Sequence, residues 1–352
     1  MKYAILFLIV FLVNALHLFA QPKLKKDIVQ WQKCVVNLET EGKLFAKFEV
    51  EQKLEQYRQQ GFTQPQLDSI KEKLNAISAS HTGTAMYVKD GNRKYLITAK
   101  HVLLDSALTK QKLYEQAHQL LKPGESVEAI YSRISIRTPI EYARNNSINN
   151  RAVYNYEHVS SKLQPYVLLP DQSDNDLAII SLQEKNYKLL DNILQQDGYQ
   201  PIPIDKVLSG EDLDVGEDIY TIGFPENISV VGKVDLPNST QMYQLNQVVS
   251  PFTTFGKVSM SSSALNFFYA AVPISFGNSG GPVIKDGRLV GIVSGINKYS
   301  SLSDASKSVS SDQMPSSNLY GIGQLVKVVK CTDIMKYLRI LQSNENNPLF
   351  YK

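Results

Sequence analysis

Cysteine is nearly absent: the 352 residues contain two, Cys34 and Cys331. Two cannot build the usual four-ligand zinc cluster, and no histidine lies near either in the sequence. Histidine is scarce as well. The five are His17, His81, His101, His118 and His158, which leaves few candidates for imidazole chemistry. Charge of one sign is also lacking. The 37 basic and 34 acidic residues leave a formal charge of +3, too small to imply nucleic acid or an acidic membrane as a partner. The basic run Lys23–Lys26 reads as a solvated leader. Long apolar runs are missing after the first twenty residues, where nothing approaches the ~18 apolar residues of a spanning helix. No internal repeat is evident.

What is present begins with Met1–Ala20. Lys2 precedes the apolar run Ala4–Val13, and Ala20 suits a cleavage point, so the segment reads as a secretory signal. The chain is then expected to be exported, periplasmic or extracellular, with no membrane contact after signal removal. The rest is long enough for two packed lobes.

The most informative stretch is Phe276–Val283, F-G-N-S-G-G-P-V. It lies between two apolar runs that read as buried strands, Phe267–Ile274 and Arg288–Ser294. Glycine allows backbone angles that side chains forbid, so Gly277 can aim its N–H at the same point as the N–H of Ser279. Two converging N–H groups beside a hydroxyl are a nucleophile with an oxyanion hole. A purely structural turn has the same composition, so a base and an orienting acid must be found elsewhere.

In chain order, Val35–Leu38 reads as a strand and Leu44–Gln60 as a helix. Thr63-Gln64-Pro65-Gln66 resembles a capping box opening a second helix, with Leu67, Ile70, Leu74 and Ile77 on one face. Gly83–Val88 and Lys94–Thr98 flank the turn Asp90-Gly91-Asn92, a hairpin signal. His101 follows at once and alone among the histidines ends an apolar strand, where a sheet can aim it; a structural histidine is the alternative. Residues 103–165 form a long excursion, with a helix at Ser106–Leu121, a strand at Arg133–Thr138 and a polar tip at Asn145–Asn150. Leu177–Leu182 is a buried strand directly preceded by Asp176, which is either an acid drawn inward or a turn residue. The second half reads as all-β: Gly216–Phe224, Gln244–Val249, Thr254–Met260, the serine hairpin, and Leu319–Leu325 beyond the polar loop Asn297–Asn318. Thr332–Leu341 reads as a terminal amphipathic helix, followed by the polar tail Gln342–Lys352.

His101, Asp176 and Ser279 occur in the order histidine, acid, serine, which separates them from the serine–acid–histidine and acid–histidine–serine orders of other hydrolases. The segments T-A-K-H-V, D-N-D-L-A-I-I and G-N-S-G-G-P resemble the three signatures of the trypsin-like serine proteases. The G-F-P turn at Gly223 is similar to the bacterial HtrA-type branch, here without its usual C-terminal PDZ domain. The likeness runs from about Val35 to Leu338, and the helical segment 43–80 and the excursion 103–165 have no counterpart in the minimal family domain.

The resemblance implies an all-β fold of two six-stranded antiparallel β-barrels, with added helical insertions and a C-terminal helix. Residues 21–200 are expected to form the N-terminal lobe and 201–341 the C-terminal one. It implies a serine endopeptidase acting on a peptide or protein substrate through an acyl-enzyme, with Ser279 as nucleophile, His101 as base and Asp176 as orienting acid, and with no metal or organic cofactor required. The primary pocket is expected to be lined by Pro273 and Ile274 on one wall and Ser294, Gly295 and Ile296 on the other. With no carboxylate there, small or medium apolar residues are expected before the cleaved bond. Asn278 replaces the aspartate that digestive members pair with a new N-terminus, so signal removal alone is expected to yield a competent enzyme. In this family the terminal helix crosses the first barrel, and that implies a Cys34–Cys331 bridge; two separately buried thiols are the alternative. A protease-fold binding module without activity, or a serine esterase, are the other functional readings.

Overall fold

The computed structural model describes residues 23–43, 47–76, 78–103, 130–136, 138–139, 167–168, 176–183, 185–206, 213–226, 228–233, 247–297 and 325–345. The signal segment, the expected helix Ser106–Leu121, the tip Asn145–Asn150 and most of the loop Asn297–Asn318 therefore lie outside the described residues. Among the described residues, no helix is long and apolar enough to cross a membrane.

Residues 23–32 form a helix, α1. It carries the basic run, whose lysines are exposed as expected. β1 (Val35–Lys43) extends the expected strand. Two helices follow, α2 (Lys47–Gln59) and α3 (Gln64–Ala76), joined across their faces by the Lys71–Glu51 ion pair at 2.8 Å. The capping box is real in one half: the Thr63 N–H donates to Gln66 Oε1 at 2.8 Å, and the Leu67 N–H takes up the Thr63 carbonyl as the first helical bond. Leu67 and Leu74 are buried, as their spacing requires.

β2 (Ser78–Asp90) begins five residues earlier than the sequence suggests and includes His81. With β3 (Arg93–Thr98) it makes the expected hairpin, closed by the pair Asp90↔Arg93. α4 (Lys100–Leu103) is a single turn. β4 (Ile130–Ile136), β5 (Thr138–Pro139), β6 (Val167–Leu168) and β7 (Ala178–Ser181) complete the strands of the first half apart from one. A helix that went unread, α5 (Lys185–Gln196), packs on this sheet through Leu190 and Leu194. The Tyr87 hydroxyl and Lys94 both hold its Asp191.

β8 (Ile202–Pro203) pairs parallel with β2. The sheet order is β4-β1-β2-β3-β7-β6 with β8 beside β2, seven strands that do not close among the described residues. The second lobe does close. β9 (Asp218–Gly223), β12 (Phe252–Met260), β13 (Phe267–Ala271), β14 (Pro282–Lys285), β15 (Arg288–Asn297) and β16 (Leu325–Lys330) form a six-stranded barrel in the order β12-β13-β16-β15-β14-β9. β10 (Val230–Lys233) and β11 (Gln247–Val249) make a small sheet with β5. The last strand was expected at Leu319–Leu325; it starts at Leu325 and runs through the alternating V-K-V-V. α6 (Cys331–Glu345) ends the described chain, and its Gln342 amide reaches Asp90 of the first lobe at 2.8 Å.

Strand alternation decides how the lobes meet. Along β1, β2, β3 and β7, Val35, Met86, Val88, Tyr95, Ile97 and Ile179 join the core that runs into the barrel. Their neighbours Val36, Ala85, Tyr87, Leu96 and Ile180 form a separate core on the other face. Both faces of this sheet are buried, which is why the strands read as nearly continuous apolar runs rather than alternating ones. From the other end, α1 lies on the barrel. Trp31 is 1% exposed, and its Nε1–H donates to the Gly287 carbonyl at 3.1 Å.

The expected Cys34–Cys331 bridge is not formed; both cysteines are buried and neither is in a disulfide. Cys34 sits wholly inside the core and its Sγ–H points to the Trp31 carbonyl at 3.1 Å. Burial pushes that thiol far above its ordinary range, so it packs as a small apolar group.

Candidate active site

The ladder between β3 and β7 brings the first two site residues together. Thr98 pairs with Ala178, so the chain just past Thr98 faces the chain just before Ala178. Asp176 lies two residues before Ala178, and α4 turns His101 back onto it. The His101 N–H donates to Asp176 Oδ1 at 2.9 Å, and His101 Nδ1 lies 2.7 Å from Asp176 Oδ2. An ionised carboxylate only accepts, so Nδ1 is the donor and Nε2 is left with its lone pair. The imidazole is 38% exposed and the carboxylate 21% exposed, so the ring faces a cleft and the acid sits behind it.

Ser294 supplies a third contact. Its Oγ–H donates to Asp176 Oδ2 at 2.8 Å. The β15–β16 register slips between Val293 and Gly295, so Ser294 is the extra residue of a bulge, which aims its side chain at the other lobe. Burial alone would raise the Asp176 carboxyl. The hydrogen bonds and charge of His101 and the Ser294 hydroxyl outweigh that and hold it below the ordinary carboxylate range.

The serine loop is fixed from both sides. Gly280 donates its N–H to the Val293 carbonyl at 2.7 Å and Gly281 to Asn278 at 2.9 Å. Asn278 is buried and braces the loop through Nδ2 to the Ser275 carbonyl at 3.3 Å. On the other side stands Thr84, which no sequence signal marked. Its N–H donates to the Ser279 carbonyl at 2.8 Å and its Oγ1–H to the Gly277 carbonyl at 2.7 Å. The same Oγ1 accepts the Phe224 N–H at 3.1 Å. One threonine of the first lobe therefore ties together both strands' ends that frame the loop.

Gly280 shows how close the lobes come. Its φ is +85°, and a Cβ there would lie 2.0 Å from the Thr84 carbonyl oxygen and 2.9 Å from the Ala99 nitrogen. The residue after Ser279 thus rests on the peptide two residues before His101. Gly277 has φ +94°, with its Cα facing the Phe224 carbonyl. The N–H groups of Gly277 and Ser279 have no backbone acceptor among the described residues.

The expected pocket residues are split. Pro273 is exposed, Ile274 is 7% exposed and belongs to the core, Ser294 spends its hydroxyl on Asp176, and Gly295 is half-buried. The side chain of Ile296 lies outside the described set. Among the described residues, no group of three or more His, Cys, Asp or Glu side chains is gathered to hold a metal ion.

The sequence matches the family model described as "Trypsin-like peptidase domain" over residues 83–292. No curated protein matches it. Among solved structures, it is similar to the inactive form of Rv3671c protease, with 11% identity, TM-score 0.38, and 90% of this chain and 92% of that one covered. It is also similar to AL20, a thermostable serine protease from an extremophilic microorganism, with 10% identity, TM-score 0.41, and 90% and 100% covered.

Proposed function

This chain belongs to the trypsin-like peptidase domain family, whose model spans more than half of it, and on that premise we propose that it is an exported serine endopeptidase. The observation that carries the reading is the hydrogen-bonded pair His101–Asp176 with the serine loop packed on the peptide before His101.

In this reading His101 Nε2 takes the proton of Ser279 Oγ as that oxygen attacks the substrate carbonyl carbon. The oxyanion forms where the N–H groups of Gly277 and Ser279 point, held by donors that have no backbone acceptor among the described residues. The imidazolium then gives its proton to the leaving amine, and an acyl-enzyme remains. Water attacks next, with His101 again as base, and Ser279 regains its proton. Asp176 keeps the proton on Nδ1 and stabilises the imidazolium; Ser294 keeps Asp176 in place. Of the expected pocket residues Pro273 and Gly295 keep exposed surface, and neither carries a carboxylate, which favours small or medium apolar residues before the cleaved bond. The Gly223-Phe224-Pro225 turn supports the HtrA-type branch, and the apolar run Ala4–Val13 supports export.

A fluorophosphonate probe tests this. Covalent labelling at Ser279, with cleavage of unfolded protein by the same preparation, is expected. Asp176→Asn is expected to lower kcat by about 10⁴-fold, since it presents the wrong tautomer. A folded protein that takes no label would leave a binding module; one that takes label and cleaves esters but no peptides would be an esterase.

A further inference from the structure

Phe276, three residues before Ser279, is 71% exposed, and no other large apolar side chain among the described residues shows as great a fraction. Apolar surface left open beside a reactive centre forgoes burial and marks where a ligand sits. The main chain beneath it is not loose. The Phe276 carbonyl accepts the Glu226 N–H at 2.8 Å. Glu226 belongs to a tight turn in which the Pro225 carbonyl accepts the N–H groups of Ile228 and Ser229 at 3.2 and 2.9 Å. That turn presents Ile228, 54% exposed. Two apolar side chains are thus offered by segments bonded directly to each other.

Their side of the loop can be stated. Ser279 is bracketed by β15, through Gly280 to Val293, and by the Pro225–Ser229 turn, through Glu226 to Phe276. On the pocket reading proposed above, the acyl half of a substrate lies along β15 at Ser294 and Gly295. The half that leaves must depart over the opposite flank. We propose that Phe276 and Ile228 form an apolar subsite for the residues just after the cleaved bond, so that substrates carrying a large apolar side chain there are preferred. Glu226, exposed on the same turn, disfavours an acidic residue at that place. This rests on Ser279 being the nucleophile of a peptidase.

The test uses internally quenched peptides identical before the cleaved bond and carrying Leu, Phe, Ala or Asp in the two places after it, with products located by mass. Wild type and Phe276→Ala are first titrated with the fluorophosphonate, and rates are given per labelled site. Wild type is expected to favour Leu and Phe over Ala by about tenfold or more in kcat/KM, and Phe276→Ala to bring that ratio near unity. Ile228→Ser should reduce it partway. Labelled wild type without such a preference, or Phe276→Ala that keeps it, overturns the subsite. Absence of labelled sites in wild type overturns the underlying peptidase reading instead.

Discussion

Replacing Gly280 with alanine probes the contact on which the whole site depends. Two costs arise. Alanine at φ +85° enters the left-handed region, which costs an L-residue about 1–2 kcal/mol. The new methyl also meets the Thr84 carbonyl oxygen at 2.0 Å, Thr98 Oγ1 at 2.3 Å and the Ala99 nitrogen at 2.9 Å. Two of these are backbone atoms, Thr84 on β2 where it pairs with β1 and Ala99 just past the end of β3, so relief requires the loop to leave the first lobe. Overpacking of this kind costs about 1–3 kcal/mol, and rigid neighbours put it at the upper end, for a total of about 3–5 kcal/mol. Gly91→Ala is the control, because Gly91 has φ +56° with nothing within 4 Å of the added methyl. It should lose only about 1–2 kcal/mol. Urea unfolding followed through Trp31, the one tryptophan, reads both. Labelling of Ser279 should fall in Gly280→Ala even where it stays folded, and not in Gly91→Ala. If both variants lose the same stability and label alike, Ser279 is not seated beside His101 and the proposed mechanism fails.

Trp31→Ala should cost about 3–5 kcal/mol, since it empties a fully buried site between α1 and the barrel, whereas an unchanged urea midpoint would mean α1 is not docked. Asn37 lies in β1 opposite Thr84, fully buried, with both amide atoms unpaired among the described residues. Asn37→Leu should therefore stabilise by about 1–3 kcal/mol, and a loss of that size would reveal a partner for the amide. Fluorophosphonate labelling should fall as the solution is made acidic, because protonated His101 cannot act as base; a flat profile contradicts its role. Asp176, held below its ordinary value of about 3.9, should add stability that is complete above about pH 4 and lost as pH falls further. Asp176→Asn should show less of that acid loss, read as the urea midpoint against pH.

The sequence by itself determined what is local. Apolar runs bounded by turns located the hairpin around Gly91, the strand after Asp176 and the strands around Ser279. The order and surroundings of His101, Asp176 and Ser279 singled them out, because each abuts an apolar strand that can hold it still. Proximity was not legible. That Thr98 pairs with Ala178, and so delivers Asp176 to His101, is a matter of register, and register is set by which face of each strand is buried. Thr84 and Ser294 carry no motif; one looks like any strand threonine and the other like a pocket wall, and only the approach of two lobes gives them their bonds. The cysteines teach the same lesson. Spacing cannot say where two thiols end up, and packing consigned both to the core as small apolar groups. Whether a residue lies near another in space is decided by burial summed over the whole chain, and no short window of sequence contains that sum.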